Sequence, residues 1–280
     1  MSMPIEFVST SLSLTAVFAW GTSDFLGGYS SRKANAFLLT TIAHGSGLLL
    51  MATIATIAHS PFPIPHSALW AFAGGLSGGS ALAIFYRALS RGRMGLTAPV
   101  AAVLGAAIPT IVTMFSEGPP GPIHVGGFLL AGIGIWLISR TKDGRGAEGI
   151  GMAAISGVGF AGFYLCMRQA GNGSALWIAA VSRCGSFLVT GLIVVITRVR
   201  FITRQSAAWG MLAGFLDVSG SALFVRASQL GRLDTAVVLT SLYPAVTVLL
   251  ARFVLKEHFT RWKAVGMFAA LLAVPLIAAP

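Results

Sequence analysis

Residues 36–58 read AFLLTTIAHGSGLLLMATIATIA, a run without an Asp, Glu, Lys or Arg. A helix rises about 1.5 Å per residue, so this run is long enough to cross the roughly 30 Å hydrocarbon core of a bilayer. The rest of the chain follows the same pattern. Of its 280 residues 55% are hydrophobic and 10% charged, against about 25% charged in an ordinary soluble domain. The charges fall in short islands between apolar runs. Outward from residues 36–58 the sequence predicts ten spans: Val8–Gly28, Ala36–Ala58, Ala68–Leu89, Met94–Phe115, Ile123–Ser139, Gly149–Arg168, Ala175–Thr197, Ser206–Val225, Leu233–Leu255 and Trp262–Ala279. The fold class is an all-α membrane protein of ten transmembrane helices.

The net charge of +11 would suggest nucleic acid in a soluble protein. Here no basic stripe carries interleaved aromatics, and Lys and Arg sit in loops, where they set membrane orientation. Glycine, at 34 residues, suits helices that approach closely in lipid. Cys166 and Cys184 lie inside apolar runs and read as packing residues. The start has no basic region ahead of its first apolar run, so a cleaved signal peptide is not expected.

The chain also resembles itself. When Ser67 is laid on Ser206, the whole of Ser67–Ile138 falls on Ser206–Ile277 without a gap. Trp70 meets Trp209, Gly75 meets Gly214, and Phe85-Tyr86-Arg87-Ala88 meets Phe224-Val225-Arg226-Ala227. The same shift sets Ala36 on Ala175 and His44 on Arg183. The units are 1–139 and 149–280, with 140–148 as a charged linker. Each unit holds five spans, and an odd number turns the second copy over in the membrane. The expected architecture is an inverted repeat of two five-helix bundles, a common construction in secondary transporters. With the loops assigned to alternate sides, one side holds fifteen basic residues and the other only Arg168, Arg226 and Arg232. The positive-inside rule then places both termini outside.

An ionised side chain in the bilayer centre costs at least about 2.5 kcal/mol, so such a residue marks a wet cavity or a partner. Asp217 lies in the middle of the eighth span and is the first candidate for proton coupling. Asp24, which shares a helical face with Trp20 and Gly27, is the second. A structural, hydrogen-bonded carboxylate is the rival reading of each. His44 is a weaker coupling candidate, because a packing histidine fits as well. Arg183 suits pairing with Asp24 or Asp217. Tyr86, Tyr164, Ser221, Thr240 and Tyr243 complete the candidate substrate cavity with Trp20, Asp24 and Asp217. Pro244 should open the ninth span at its centre, as Pro99 and Pro109 could the fourth. Arg87 and Arg226 are repeat mates at span ends that suit the interface, with gating as the alternative.

No H-E-x-x-H or Walker A sequence occurs, and no Cys/His set has metal spacing. The expectation is therefore no enzyme, no cofactor, no metal, no ATP and no nucleic acid. The expected partners are a small-molecule substrate and the lipid bilayer.

Three segments carry a family resemblance. They are Ala19-Trp20-Gly21-Thr22-Ser23-Asp24-Phe25, Tyr86-Arg87-Ala88-Leu89, and Leu242-Tyr243-Pro244-Ala245-Val246-Thr247 leading to Lys256-Glu257-His258-Phe259-Thr260 and Gly266. The chain resembles the drug/metabolite transporter superfamily, EamA type. The first repeat departs from the pattern, with Gly105 where the second has Pro244. The resemblance implies a secondary transporter of small organic metabolites, an exporter of amino acids or related compounds, working by alternating access and open to proton coupling. It implies a cavity lined by helices 1, 3, 4, 6, 8 and 9, with 5 and 10 peripheral. It also implies a multi-pass place in the cell membrane, the inner membrane of a bacterium. Many members have cytosolic termini, whereas the charges here point outside. The alternatives are an uncoupled facilitator, a polytopic membrane enzyme acting on lipid, and a non-transporting scaffold.

Overall fold

The computed structural model describes residues 5–92, 94–117, 121–139, 144–230, 236, 239–240, 242–257 and 260–277. Among them are ten α-helices: α1 (Ile5–Ser30), α2 (Ala36–Ile57), α3 (Pro65–Arg91), α4 (Met94–Glu117), α5 (Pro122–Ser139), α6 (Gly144–Ala170), α7 (Ala175–Ile196), α8 (Arg204–Leu230), α9 (Tyr243–Val254) and α10 (Arg261–Ile277). Ala36–Ile57, Pro65–Arg91, Gly149–Ala170, Ala175–Ile196 and Arg204–Leu230 are each long and apolar enough to cross a membrane. Helices α4, α5, α9 and α10 contain shorter apolar stretches. Large apolar side chains cover the outside, among them Phe18, Leu49, Val195, Phe253 and Trp262. Such a surface fits lipid, where a helix satisfies its own backbone hydrogen bonds.

The helix limits repeat at the offset seen in the sequence. The shift that lays Ser67 on Ser206 also lays both ends of α2 on those of α7, and both ends of α3 on those of α8. The side chains that start α2 and α7 also match. Asn35 accepts from the amides of Phe37 (2.9 Å) and Leu38 (3.3 Å), and Ser174 accepts from that of Trp177 (3.4 Å). These contacts satisfy amides that have no partner within the helix. The C-terminal ends match too. His59 and Arg198 adopt positive φ, at 47° and 54°, and each closes the same pattern of backbone bonds.

The packing follows from small residues. Helix α1 lies on α8, α3 on α6, α2 on α7, and α5 on α10; α3 also meets α7, and α2 meets α8. Gly75 of α3 touches the carbonyl of Ser182, and its repeat mate Gly214 of α8 touches the carbonyl of Ala43. Side chains at these points would hold the backbones apart.

Three features differ from expectation. Helix α6 begins at Gly144, so 144–148 of the expected linker are helical, and 140–143 lie outside the described residues. Helix α4 runs unbroken through Pro99 and Pro109. The ninth span is the reverse case: Ala236, Leu239 and Thr240 are helical, but α9 starts at Tyr243, after a turn at Leu242. Pro244 therefore sits in the first helical turn, where its missing N–H costs nothing. The amides of Leu242 and Ala245 bond three residues back, to Leu239 and Leu242, a tighter winding than α-helix.

Glu257, from the turn between α9 and α10, caps a distant helix. Its carboxylate accepts from the amides of Met94 and Gly95, both 3.2 Å away, at the N-terminus of α4. Arg32, after α1, approaches the same carboxylate at 3.4 Å. A carboxylate at a helix N-terminus meets both free amides and the positive end of the dipole. Glu257→Ala should lower stability by about 1–2 kcal/mol, on the scale of a lost helix cap. Denaturant unfolding in mixed micelles measures this. An unchanged midpoint would mean that the cap contributes nothing.

Candidate functional site

The central cavity encloses about 460 Å³ of atom-free space, including its open mouth. Trp20 and Asp24 of α1 line it, with Gly78 and Leu82 of α3 and Phe160, Phe163 and Tyr164 of α6. Arg183 of α7, Asp217 and Ser221 of α8, and Tyr243 of α9 complete the wall. Two sequence spacings build the polar side. Trp20 and Asp24 are four residues apart on α1, as Asp217 and Ser221 are on α8, so each pair faces one way.

Arg183 joins α7 to α8. Its Nη2 lies 2.9 Å from Asp217 Oδ2 and donates to Ser221 Oγ at 2.6 Å. Ser221 Oγ donates in turn to the Asp217 carbonyl at 3.0 Å, and Trp20 Nε1 donates to that same carbonyl at 3.1 Å. The Arg183–Asp217 contact is an ion pair without an aligned hydrogen bond. Both residues are buried, so their mutual attraction matters more than at a surface. Asp24 differs. It is 5% exposed, lines the cavity, and makes no hydrogen bond or ion pair with any described residue. Asp217, Tyr164 and Tyr243 stand close enough to feel its charge.

The aromatic wall interlocks edge to face. Trp20 meets Tyr243 with ring centroids 6.1 Å apart, and Tyr164 meets Phe163 at 5.6 Å. Phe224 lies behind, 5.6 Å from Trp20 and 5.9 Å from Tyr164.

Of the sequence candidates, the structure brings Trp20, Asp24, Tyr164, Asp217, Ser221 and Tyr243 to the cavity, and Arg183 with them. Tyr86 and Thr240 are not among its lining residues. The Tyr86 hydroxyl lies 3.0 Å from Ser23 Oγ, and its ring is wedged against Gly27, so it ties α3 to α1. Thr240 is buried and donates to the Ala236 carbonyl at 2.7 Å within its own helix. His44 is fully buried outside the lining, against the Gly79 backbone, with neither ring nitrogen in an aligned hydrogen bond. Arg87 and Arg226 are exposed near the ends of α3 and α8, and Pro244 sits next to Tyr243 in the first turn of α9. Helix α7 lines the cavity, while α4, one of the helices implied by the family resemblance, does not among the described residues. The peripheral helices α5 and α10 pack on each other.

Sequence reading missed Gly78, Leu82, Phe160 and Phe163. A signal for the first two existed. Gly78 and Leu82 are the repeat mates of Asp217 and Ser221, so the repeat offset alone projects the polar face of α8 onto them. Phe160, Phe163 and Tyr164 form an i, i+3, i+4 stripe, but apolar residues on an apolar helix offer no contrast.

Ten helices in an apolar envelope, closing on a buried charged and aromatic cavity, define a polytopic helical membrane protein. Residues 147–279, from α6 through α10, match the model of the EamA-like transporter family. The match agrees with the resemblance to the drug/metabolite transporter superfamily. A solved structure, titled only as a crystal structure of a protein, superposes with a TM-score of 0.68 over 96% of both chains at 18% identity, which establishes a shared fold. No curated protein matches the chain.

Proposed function

We propose that this protein is a secondary transporter of small organic metabolites, amino acids or related compounds, working by alternating access, with the cavity around Asp24 as the binding site. The observation that carries the proposal is a carboxylate buried deep among membrane helices that lines an open cavity and lacks a partner among the described residues. A buried charge without a partner is strongly unfavourable, so Asp24 requires a proton or a cationic ligand, and exchange of one for the other couples the two fluxes. Asp217 was the stronger candidate on position alone. Its pairing with Arg183 gives it a resident counter-ion, which favours Asp24 as the coupling group and assigns Asp217 and Arg183 to the cavity scaffold.

Several features support the inverted repeat. The limits of α2 and α7, and of α3 and α8, share one offset. The main helix pairs also correspond under exchange of the two halves, α1 on α8 with α6 on α3, and α2 on α8 with α7 on α3. Five helices per half place the second half upside down, and rocking of one half against the other exposes the cavity to each side in turn.

Purified protein in proteoliposomes, offered amino acids, amines, nucleosides and sugars with and without a pH gradient, tests the proposal. A proton-coupled transporter accumulates at least one solute, and does so faster with the gradient. Equal uptake with and without it identifies an uncoupled facilitator. No uptake of any solute contradicts transport.

The charge asymmetry supports outside termini and a cytoplasmic face at Arg32–Lys33. Pro61→Cys should react with a membrane-impermeant maleimide on intact cells, while Lys33→Cys reacts only after permeabilisation. The opposite pattern would invert the orientation.

A further inference from the structure

We propose that the cavity selects organic monocations, amines with an aromatic or apolar body, over zwitterions, neutral molecules and anions of the same shape. This rests on the transport reading and, within its small organic metabolites, sets amines ahead of amino acids. The first argument is charge balance. Among the described lining residues the ionisable groups are Asp24, Asp217, Arg183 and two tyrosines, Tyr164 and Tyr243. Arg183 and Asp217 neutralise each other at 2.9 Å. Ionised Asp24 then leaves the cavity with one unmatched negative charge. A monocation replaces the proton on Asp24 and brings the sum to zero, whereas a zwitterion or neutral solute either leaves the charge uncompensated in a low-dielectric site or binds with the proton retained and gains no charge attraction.

The second argument is shape and surface. Five aromatic side chains, Trp20, Phe160, Phe163, Tyr164 and Tyr243, line the same space. Ring faces attract cations, most strongly where water is excluded, and Trp is the best of them. Trp20 stands one helical turn from Asp24, so one ligand can meet the carboxylate and a ring together. Leu82 and Gly78 also line the space and add no polar side chain, a surface for the apolar body of the ligand. An amino acid would add a carboxylate facing Asp24 and Asp217, and the neighbouring Arg183 Nη2 is already engaged by Asp217 and Ser221.

Four probes share one body and differ in charge: tyramine (cation), tyrosine (zwitterion), 4-ethylphenol (neutral) and 3-(4-hydroxyphenyl)propionate (anion). Equilibrium binding to the full wild-type chain in nanodiscs near neutral pH compares them. Tyramine should bind at least about tenfold more tightly than each of the others, the scale of a desolvated cation contact. Asp24→Asn should erase that preference. Equal or tighter binding of tyrosine, 4-ethylphenol or the propionate by wild-type protein would overturn the proposal, and no variant needs to fold for that result. A tyramine preference that survives in folded Asp24→Asn would also overturn it, because the cation would then sit elsewhere. Uptake of a zwitterion or sugar but not of tyramine in the proteoliposome panel would sink cation selectivity while leaving transport standing. Absence of all uptake would remove both.

Discussion

Arg183→Met should destabilise the folded protein by about 3–5 kcal/mol, and adding Asp217→Leu should restore most of the loss. Arg183 and Asp217 are both buried, 2.9 Å apart, on adjacent helices α7 and α8. The pair's net stabilisation is small, because desolvating two charges offsets much of their attraction. Removing one partner is different: it leaves the other charge buried and uncompensated, and that accounts for most of the expected cost. Ser221 Oγ also loses the 2.6 Å donor that fixes it. Removing both charges eliminates the stranded group. The two substitutions should therefore be strongly non-additive, as expected for directly contacting residues. Unfolding midpoints of the wild type, both single variants and the double variant in mixed micelles decide the matter. Additive losses would mean that Arg183 and Asp217 do not act as a pair.

The second large effect concerns backbone contact. A Cβ on Gly75 would fall on the carbonyl of Ser182, and a Cβ on Gly214 on the carbonyl of Ala43. A flexible side chain can turn away from such a clash, but a helix backbone cannot. Gly75→Val and Gly214→Val should each cost about 3 kcal/mol or more, at the upper end for overpacking, and should lower folded yield. Gly126 and Gly132 on α5 serve as controls, since a Cβ there meets nothing within 4 Å. Gly126→Ala and Gly132→Ala should be neutral or slightly stabilising, because Ala favours helix over Gly by about 1 kcal/mol. Similar losses at all four positions would mean that α3–α7 and α8–α2 do not approach as closely as described.

The contrast between these sites explains what the sequence could reveal. A span is legible because charges are absent from a run long enough to cross a bilayer, and α2 and α7 begin where the sequence places them. The shared offset is legible because it recurs across several helices, and the limits of α2 and α7 and of α3 and α8 keep it. Asp24, Asp217 and Arg183 are legible because a charge in an apolar run requires a reason. Which neighbour a side chain meets is not written in its own helix. Tyr86 and Thr240 lie on helices next to the cavity, yet one locks α3 to α1 and the other bonds its own backbone. The partner of Arg183 stayed open between Asp24 and Asp217 until the α7–α8 contact settled it. The role of Glu257 in capping α4 links residues from opposite halves of the chain, a relation that no local pattern carries. Pro99, Pro109 and Pro244 carry the same local signal, yet only Pro244 lies beside a break, because it occupies a first turn that needs no N–H there.

The most direct test of a cavity that works through Asp24 is gradient-driven accumulation by Asp24→Asn protein in proteoliposomes, using the solute that wild-type protein accumulates best. Asn keeps the size of the side chain and removes its charge, so packing around α1 is retained. Accumulation should fall to the level of protein-free liposomes while the variant elutes and melts like wild type. Accumulation at the wild-type rate by the Asp24→Asn variant would contradict the account.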